Sequence, residues 1–372
     1  MAASPMRQSI MRSGKSANGG HIRRPEVDLL KGCAILWVLL IHSKALGDSL
    51  FYLHVVNHAV PLFVILFGLN SCYWWSGRSL SGDATAWYSS RFKRILAPFW
   101  AALPVWWGLT LWLRPPEIPL DWWLPLAHLG GYTLHIGTGW FVTLILPLVI
   151  LFPLLAAAER RFGIWPLLLV AVAGELLVAH WRLDLVERFG FLNFLVFPPR
   201  VLAHVVFGIW LARHIERSGG IGPVAGALGA LLWALCAAIQ QGWLWPTLGP
   251  YAETLIDLPL AMTLLAVLRP LAALPLVSPA LVWLGLGSWG IYLGQMLMHN
   301  AVVYQCGILP DLAPNLAVCH FPFAHGTGNA DRWFYTLTLL VGGLGSIWVG
   351  NRLLGVHGWL RRRGWPLPEL MR

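Results

Sequence analysis

Charge is what this chain has least of. Asp, Glu, Lys and Arg together make up 11% of its 372 residues, where a soluble domain carries about 25%. Too little polar sequence remains between the apolar runs to build a second, water-facing domain. The five cysteines follow no tight metal-binding spacing, which argues against a structural metal centre. Cys33, Cys72 and Cys236 fall within apolar runs and read as small packing residues. Residues 1 to 27 hold no apolar stretch and no cleavage site, so they do not read as a cleavable signal peptide. Their low hydrophobicity and several Gly and Ser read, over 1–24, as a disordered basic tail. Internal repeats and low-complexity segments are missing too.

Apolar length is abundant. The chain is 57% hydrophobic, with a mean hydropathy of +0.64. Apolar runs fall at 28–46, 55–75, 95–113, 139–158, 163–180, 194–212, 221–241, 250–268, 280–304 and 333–354. A bilayer span needs about 20 residues. The reading is an all-α polytopic membrane protein of about ten transmembrane helices, one domain over 25–358, with a second basic tail over 359–372.

A net charge of +10 raises the question of nucleic acid, and the placement of the charge answers it. With the N-terminus cytoplasmic, twenty of the 26 Lys and Arg fall on the inner side, as the positive-inside rule expects. Both termini are then cytoplasmic, in the cell's inner (plasma) membrane, and the partner is a lipid bilayer, not nucleic acid. The 23 Trp suit the aromatic belts at the two interfaces. Segment 121–132 is too short to span and is placed at the outer interface.

The first apolar run carries an ionisable residue, His42, well inside it. A polar group in hydrocarbon costs free energy, so an intramembrane His is a functional-site hypothesis by default. Lys31 lies eleven residues earlier. Eleven steps make about three helical turns, so the two share a face and are separated by roughly 16 Å of rise. A long anionic molecule can lie along that face, its charge at Lys31 and its reactive end at His42. Asp28 sits too far down the axis to form a triad with His42; it reads as a helix cap or as the i, i+3 partner of Lys31.

The second run contains Pro61-Leu-Phe63 and Gly68, read as a kink with close backbone approach. Arg91 and Arg94 precede the third run, neighbours on one face at i, i+3. Arg forks take phosphate oxygens bidentately, although the positive-inside bias explains either charge alone.

These pieces resemble the acyltransferase-3 family of integral-membrane acyltransferases, in its sugar O-acetylase-like branch. The resemblance rests on Lys31 and His42, Pro61-Leu-Phe63 with Gly68, and Arg91-Phe-Lys-Arg94 followed by Pro98. Weaker echoes are Gly139-Trp140-Phe141 and Ser288-Trp-Gly-Ile-Tyr292. Two positions depart from the family pattern: Lys31 stands in place of the usual Arg, and Gln295 in place of a frequent His. The extra esterase-like domain of some members is absent. The resemblance implies transfer of an acyl group, usually acetyl, from cytoplasmic acyl-coenzyme A, a co-substrate and not a resident cofactor. The acceptor it implies is a hydroxyl of a cell-envelope sugar or glycolipid. It puts Lys31, Arg91 and Arg94 on the coenzyme, leaves His42 either as general base on the acceptor hydroxyl or as the carrier of an acyl-His intermediate, and leaves a substrate-side role open for Asp28 and Tyr292.

Other polar residues lie within the runs: Glu175, Arg200, His204, Asp257 and His299. Arg200 and His204 are four apart and share a face; they read as helix-to-helix pairing first and as acceptor ligands second. The longest outer loop holds Cys306 and Cys319, which can bridge in an oxidising compartment. His320 and His325 beside them complete no standard zinc spacing. The competing function is a multi-pass transporter or flippase for a lipid-linked sugar, since intramembrane charges also mark transport paths. A non-catalytic membrane scaffold is the third reading. The chain lacks the two-half symmetry common in transporters.

Overall fold

The computed structural model describes residues 24–43, 45–47, 49–113, 124–132, 139–274, 277–306 and 329–362. Among the described residues every regular element is a helix. Cys319, His320 and His325 lie outside them, as does the side chain of Cys306, so the expected disulfide falls outside the described residues. Cys33, Cys72 and Cys236 are free thiols, Cys72 buried.

Helix α1 spans Pro25–Ser43. Pro25 occupies its first position, where the missing N–H is no loss, and Glu26 and Asp28 lie in the first turn, matching the positive end of the helix dipole. Helix α2, Ala59–Trp75, is led in by a helical turn at Leu50–His54 and a 3-10 turn at Val56–His58. The kink expected at Pro61 does not occur. Pro61 sits in the first turn of α2, before any interior hydrogen bond exists to break. Then come α3 (Leu80–Arg91), a π turn (Phe92–Leu96), α4 (Ala97–Leu113) and the six-residue α5 (Leu124–Leu129). Next are α6 (Trp140–Phe162), α7 (Ile164–His180), α8 (Arg182–Phe189) and α9 (Leu202–Ser218). The chain continues through α10 (Pro223–Gln240), α11 (Gly249–Leu255) and α12 (Asp257–Leu271). It closes with α13 (Val277–Leu286), α14 (Ser288–Cys306) and α15 (Asn329–Arg362).

A helix occupies each of the ten apolar segments, but not always as one straight rod. The eighth run bends by 51° between α11 and α12, and the ninth by 69° between α13 and α14. The fifth continues past α7 into α8 at 68°. The sixth begins later than its hydropathy implied, because Pro198–Val201 forms a 3-10 turn before α9. By length and hydropathy alone, three helices among the described residues can cross a membrane, or six if each bent pair is one span. Helix α1 is outside that count, and Glu26, Asp28 and Lys31 in its first two turns dilute its hydropathy.

Helix α1 packs against α2, α12, α13, α14 and α15, which makes it the axle of the fold. Two clusters of buried apolar side chains meet there. One surrounds its C-terminal half through Ile35, Val38 and Leu39 with Phe99, Ile291 and Met296. The larger runs from Leu29 and Leu30 through α2, α6, α9 and α12.

Without a hydrophobic drive between helices inside lipid, close backbone approach carries much of the association. The α2–α9 crossing shows it. A Cβ on Gly68 would fall onto the Val205 carbonyl, and one on Gly208 onto the Ile65 carbonyl. Gly208→Val is therefore expected to destabilise the fold by about 3 kcal/mol, read as a lowered midpoint of thermal unfolding in detergent. Gly174→Ala, at a position with nothing nearby, is expected to leave the midpoint unchanged or slightly raised.

Candidate active site

His42 faces the protein interior. Its ring lies 5.1 Å from that of His299, tilted by 47°, and it lines a cavity of about 90 Å³. Helix α1 contributes Ile35, Val38 and His42 to that cavity, α2 Val60 and Phe63, α6 Trp140 and Phe141, and α14 Ser288, Trp289 and Tyr292. Lys31, Ile35, Val38 and His42 follow one another at steps of four, three and four, so they form a single stripe along α1. Of the stripe expected from Lys31 and His42, the part from Ile35 to His42 faces the cavity.

Tyr292 shares the cavity with His42, its ring stacked 5.2 Å from Trp289 and edge-on to Phe141. The wall is mostly apolar, and the imidazole, the phenol and the Ser288 side chain are among its few polar groups. Around it, His299 Nδ1 lies 2.5 Å from the Tyr335 hydroxyl. One residue past His42, Thr336 donates to Ser43 Oγ at 2.6 Å. The first ties α14 to α15, and the second ties the end of α1 to α15. Gln295, one turn beyond Tyr292 on α14, is fully buried, and its amide has no hydrogen-bond partner among the described residues.

The cations are arranged less uniformly than their spacing implied. Lys31 Nζ bonds to Asp28 Oδ1 at 3.1 Å, the i, i+3 pairing read from the sequence, and does not line the cavity. Arg91 is buried, its guanidinium 4.1 Å over the ring of Trp87. Trp87 in turn stacks 5.3 Å from Phe152 and donates to the Val149 carbonyl at 3.0 Å. Arg94 is exposed, because the π turn that begins at Phe92 carries it off the line of Arg91. The two are thus not the equivalent pair that an α-helical spacing predicts. Burial, and then the charge of Arg94, push the Arg91 guanidinium down to about 9. No acidic partner is found for Arg91 among the described residues, and its Nε has no hydrogen bond. A buried cation with free donors, outside the apolar spans, is the local chemistry of an anion site.

Arg200 and His204 share a second, smaller pocket with Glu175 and Asp257. His204 lies between the two acids: Nδ1 is 3.0 Å from Glu175 Oε1, and Nε2 is 3.0 Å from Asp257 Oδ2. Asp257 Oδ1 is also 2.7 Å from His58 Nδ1. The backbone N–H of Ala203 donates to Glu175 Oε1 at 2.7 Å. The row Glu175–His204–Asp257–His58 thereby ties α7, α9, α12 and the turn before α2. Pairing was the first reading of Arg200 and His204; it holds for His204 and fails for Arg200, which forms no ion pair among the described residues. His58 was missed. Its only signal was a His one turn ahead of Pro61, at the mouth of an apolar run.

A family model described as an acyltransferase domain matches residues 24–352. No curated protein and no solved structure matches the chain. The ionic row itself is testable: Asp257→Ala removes the carboxylate that both imidazoles share. Breaking a buried pair in this way costs about 3–5 kcal/mol, so the purified variant is expected to unfold at a clearly lower temperature.

Proposed function

Because the chain belongs to the acyltransferase-3 family, we propose that it moves an acetyl group from cytoplasmic acetyl-coenzyme A to a hydroxyl of a cell-envelope carbohydrate. It is a membrane acyltransferase; the donor, the acceptor, the inner-membrane setting and the residue roles are the proposal. The observation that carries it is the stripe on α1, where Lys31, Ile35, Val38 and His42 lead from a charged end to an imidazole on a mostly apolar cavity. Coenzyme A has the complementary shape, with phosphates at one end and a thioester at the tip of a long arm. Arg91, Arg94 and Lys31 hold the phosphates at the inner rim, and the arm lies along the stripe.

In the reaction, neutral His42 takes the proton of the acceptor hydroxyl, and that oxygen attacks the thioester carbonyl. The carbon–sulfur bond breaks, and the imidazolium returns its proton to the departing thiolate. An uncharged imidazole suits this work near neutral pH, and the apolar wall around it keeps water from competing for the acetyl group. Tyr292 stands where its hydroxyl can meet the acceptor or the carbonyl oxygen.

His42→Ala is expected to reduce transfer by a factor of about 100 or more while labelled acetyl-coenzyme A still binds; normal transfer by this variant would refute the assignment. Arg91→Gln removes a charge-assisted contact of about 1.5–3 kcal/mol, a loss of roughly ten- to a hundred-fold in acetyl-coenzyme A affinity. That loss is expected to shrink at high salt. Envelope glycans of a deletion strain, compared by mass with the parent, are expected to lack one acetyl increment.

A further inference from the structure

The second pocket holds about 50 Å³ and lies across α2 from the His42 cavity: Val60 lines one, Pro61 the other. Its polar groups are not all used up by one another. Glu175 is 1% exposed, yet its Oε2 has no hydrogen-bond partner among the described residues. Its other oxygen is fully engaged by Ala203 and His204. Across the pocket, Arg200 makes one long hydrogen bond among the described residues, to the Leu195 carbonyl at 3.4 Å, and rests 5.4 Å from the ring of Phe194. Most of its five donors are open. At the mouth, Arg182 and Glu253 pair at 2.6 Å, both more than a third exposed.

A buried acceptor and open guanidinium donors now face the same small space, and each restricts what can enter. A phosphate or carboxylate would satisfy Arg200 but bring negative charge against the unpaired Glu175 oxygen and Asp257. An ammonium would satisfy Glu175 but meet Arg200. An apolar group would leave both unpaired, at a desolvation cost for each. A hydroxyl donates and accepts at once, and two neighbouring hydroxyls can serve both groups together. Val60 and Pro61, neighbours in the first turn of α2, line the His42 cavity and this pocket respectively.

We propose that Glu175 and Arg200 form a recognition subsite for neighbouring hydroxyls of an uncharged sugar. The subsite rests on the acyltransferase reading in one respect: the sugar it holds is the acceptor, or the residue next to the acetylated one. Its binding role stands apart from the chemistry at His42.

The test uses the full chain purified in detergent, with thermal unfolding as readout. The probes are methyl α-glycosides of glucose, mannose, galactose, rhamnose and N-acetylglucosamine, with sulfate and methylammonium as ionic controls at equal ionic strength. At least one glycoside is expected to raise the unfolding midpoint in a saturable way, and neither ion to do so. Glu175→Gln keeps the oxygen that Ala203 and His204 use and turns the other into a donor. It is expected to weaken the stabilising glycoside about tenfold, as is Arg200→Lys, which keeps the charge and loses the fork. Both variants are expected to bind labelled acetyl-coenzyme A as the parent does. No glycoside response, an equal response to either ion, or unchanged glycoside affinity in both variants overturns the subsite. Loss of acetyl-coenzyme A binding by the parent itself would instead sink the acyltransferase donor and leave the sugar result standing.

Discussion

Inside a bilayer a polar group has no water to fall back on, so every buried charge has to find its partner in the protein. That constraint shapes the centre of this molecule. His204 cannot sit at 3% exposure without acceptors for its ring, and it has one on each side, Glu175 and Asp257. Those three residues come from three helices, and His58 adds the entry to a fourth segment. Satisfying one imidazole therefore fixes the relative positions of α7, α9, α12 and the start of α2. Glycines set the remaining distance: α2 and α9 meet backbone to backbone at Gly68 and Gly208. Polar pairing chooses which helices meet, and small residues decide how closely.

Helix α2 then acts as a wall with a face on each side. Val60 and Phe63 look into the cavity of His42, and Pro61 into the pocket of Arg200. The two spaces differ in kind. The first is apolar, with an imidazole and a phenol; the second is lined by charges that largely cancel. An apolar space that excludes water suits a labile thioester. A space of paired charges with a few open donors and acceptors suits hydroxyls. The same two-sidedness explains why Pro61 belongs in the first turn of α2. There it stiffens the wall at the one level where both cavities need it, without weakening the helix below.

Much of this could be read before any coordinates. Ten apolar runs of about the right length located the helices. His42 declared itself by lying deep in one run, and the eleven-residue step from Lys31 put both on one stripe. What could not be read depends on distance across the bundle. No spacing says that Glu175 meets His204 29 positions on, or that Asp257 joins them from the eighth run. Residues 198–201 look apolar enough to continue a helix, but two successive prolines turn them into a 3-10 entry. The Arg91–Arg94 pair misled for a local reason: a π turn is invisible to a rule that assumes 3.6 residues per turn. Breaks at Ile256 and Gly287 were hidden too, because hydropathy averages over a bend.

The inequality of Arg91 and Arg94 bears on how a coenzyme would be held. A fully exposed guanidinium contributes little to a phosphate, since water and salt compete for it. Arg91 has given up that water. It lies over the ring of Trp87, which Phe152 backs and Val149 tethers, so its position is set before any ligand arrives. A preorganised donor loses less freedom on binding than a mobile one, and its missing counter-charge is a cost that an incoming phosphate would relieve. Arg94, a turn away and in solvent, can draw the anion in without holding it. Lys31, already paired with Asp28, comes last in such a sequence: it has to exchange a carboxylate for a phosphate, at the foot of the stripe that leads to His42. Capture at Arg94, seating at Arg91 and exchange at Lys31 would then deliver the arm in one direction only, inward along α1.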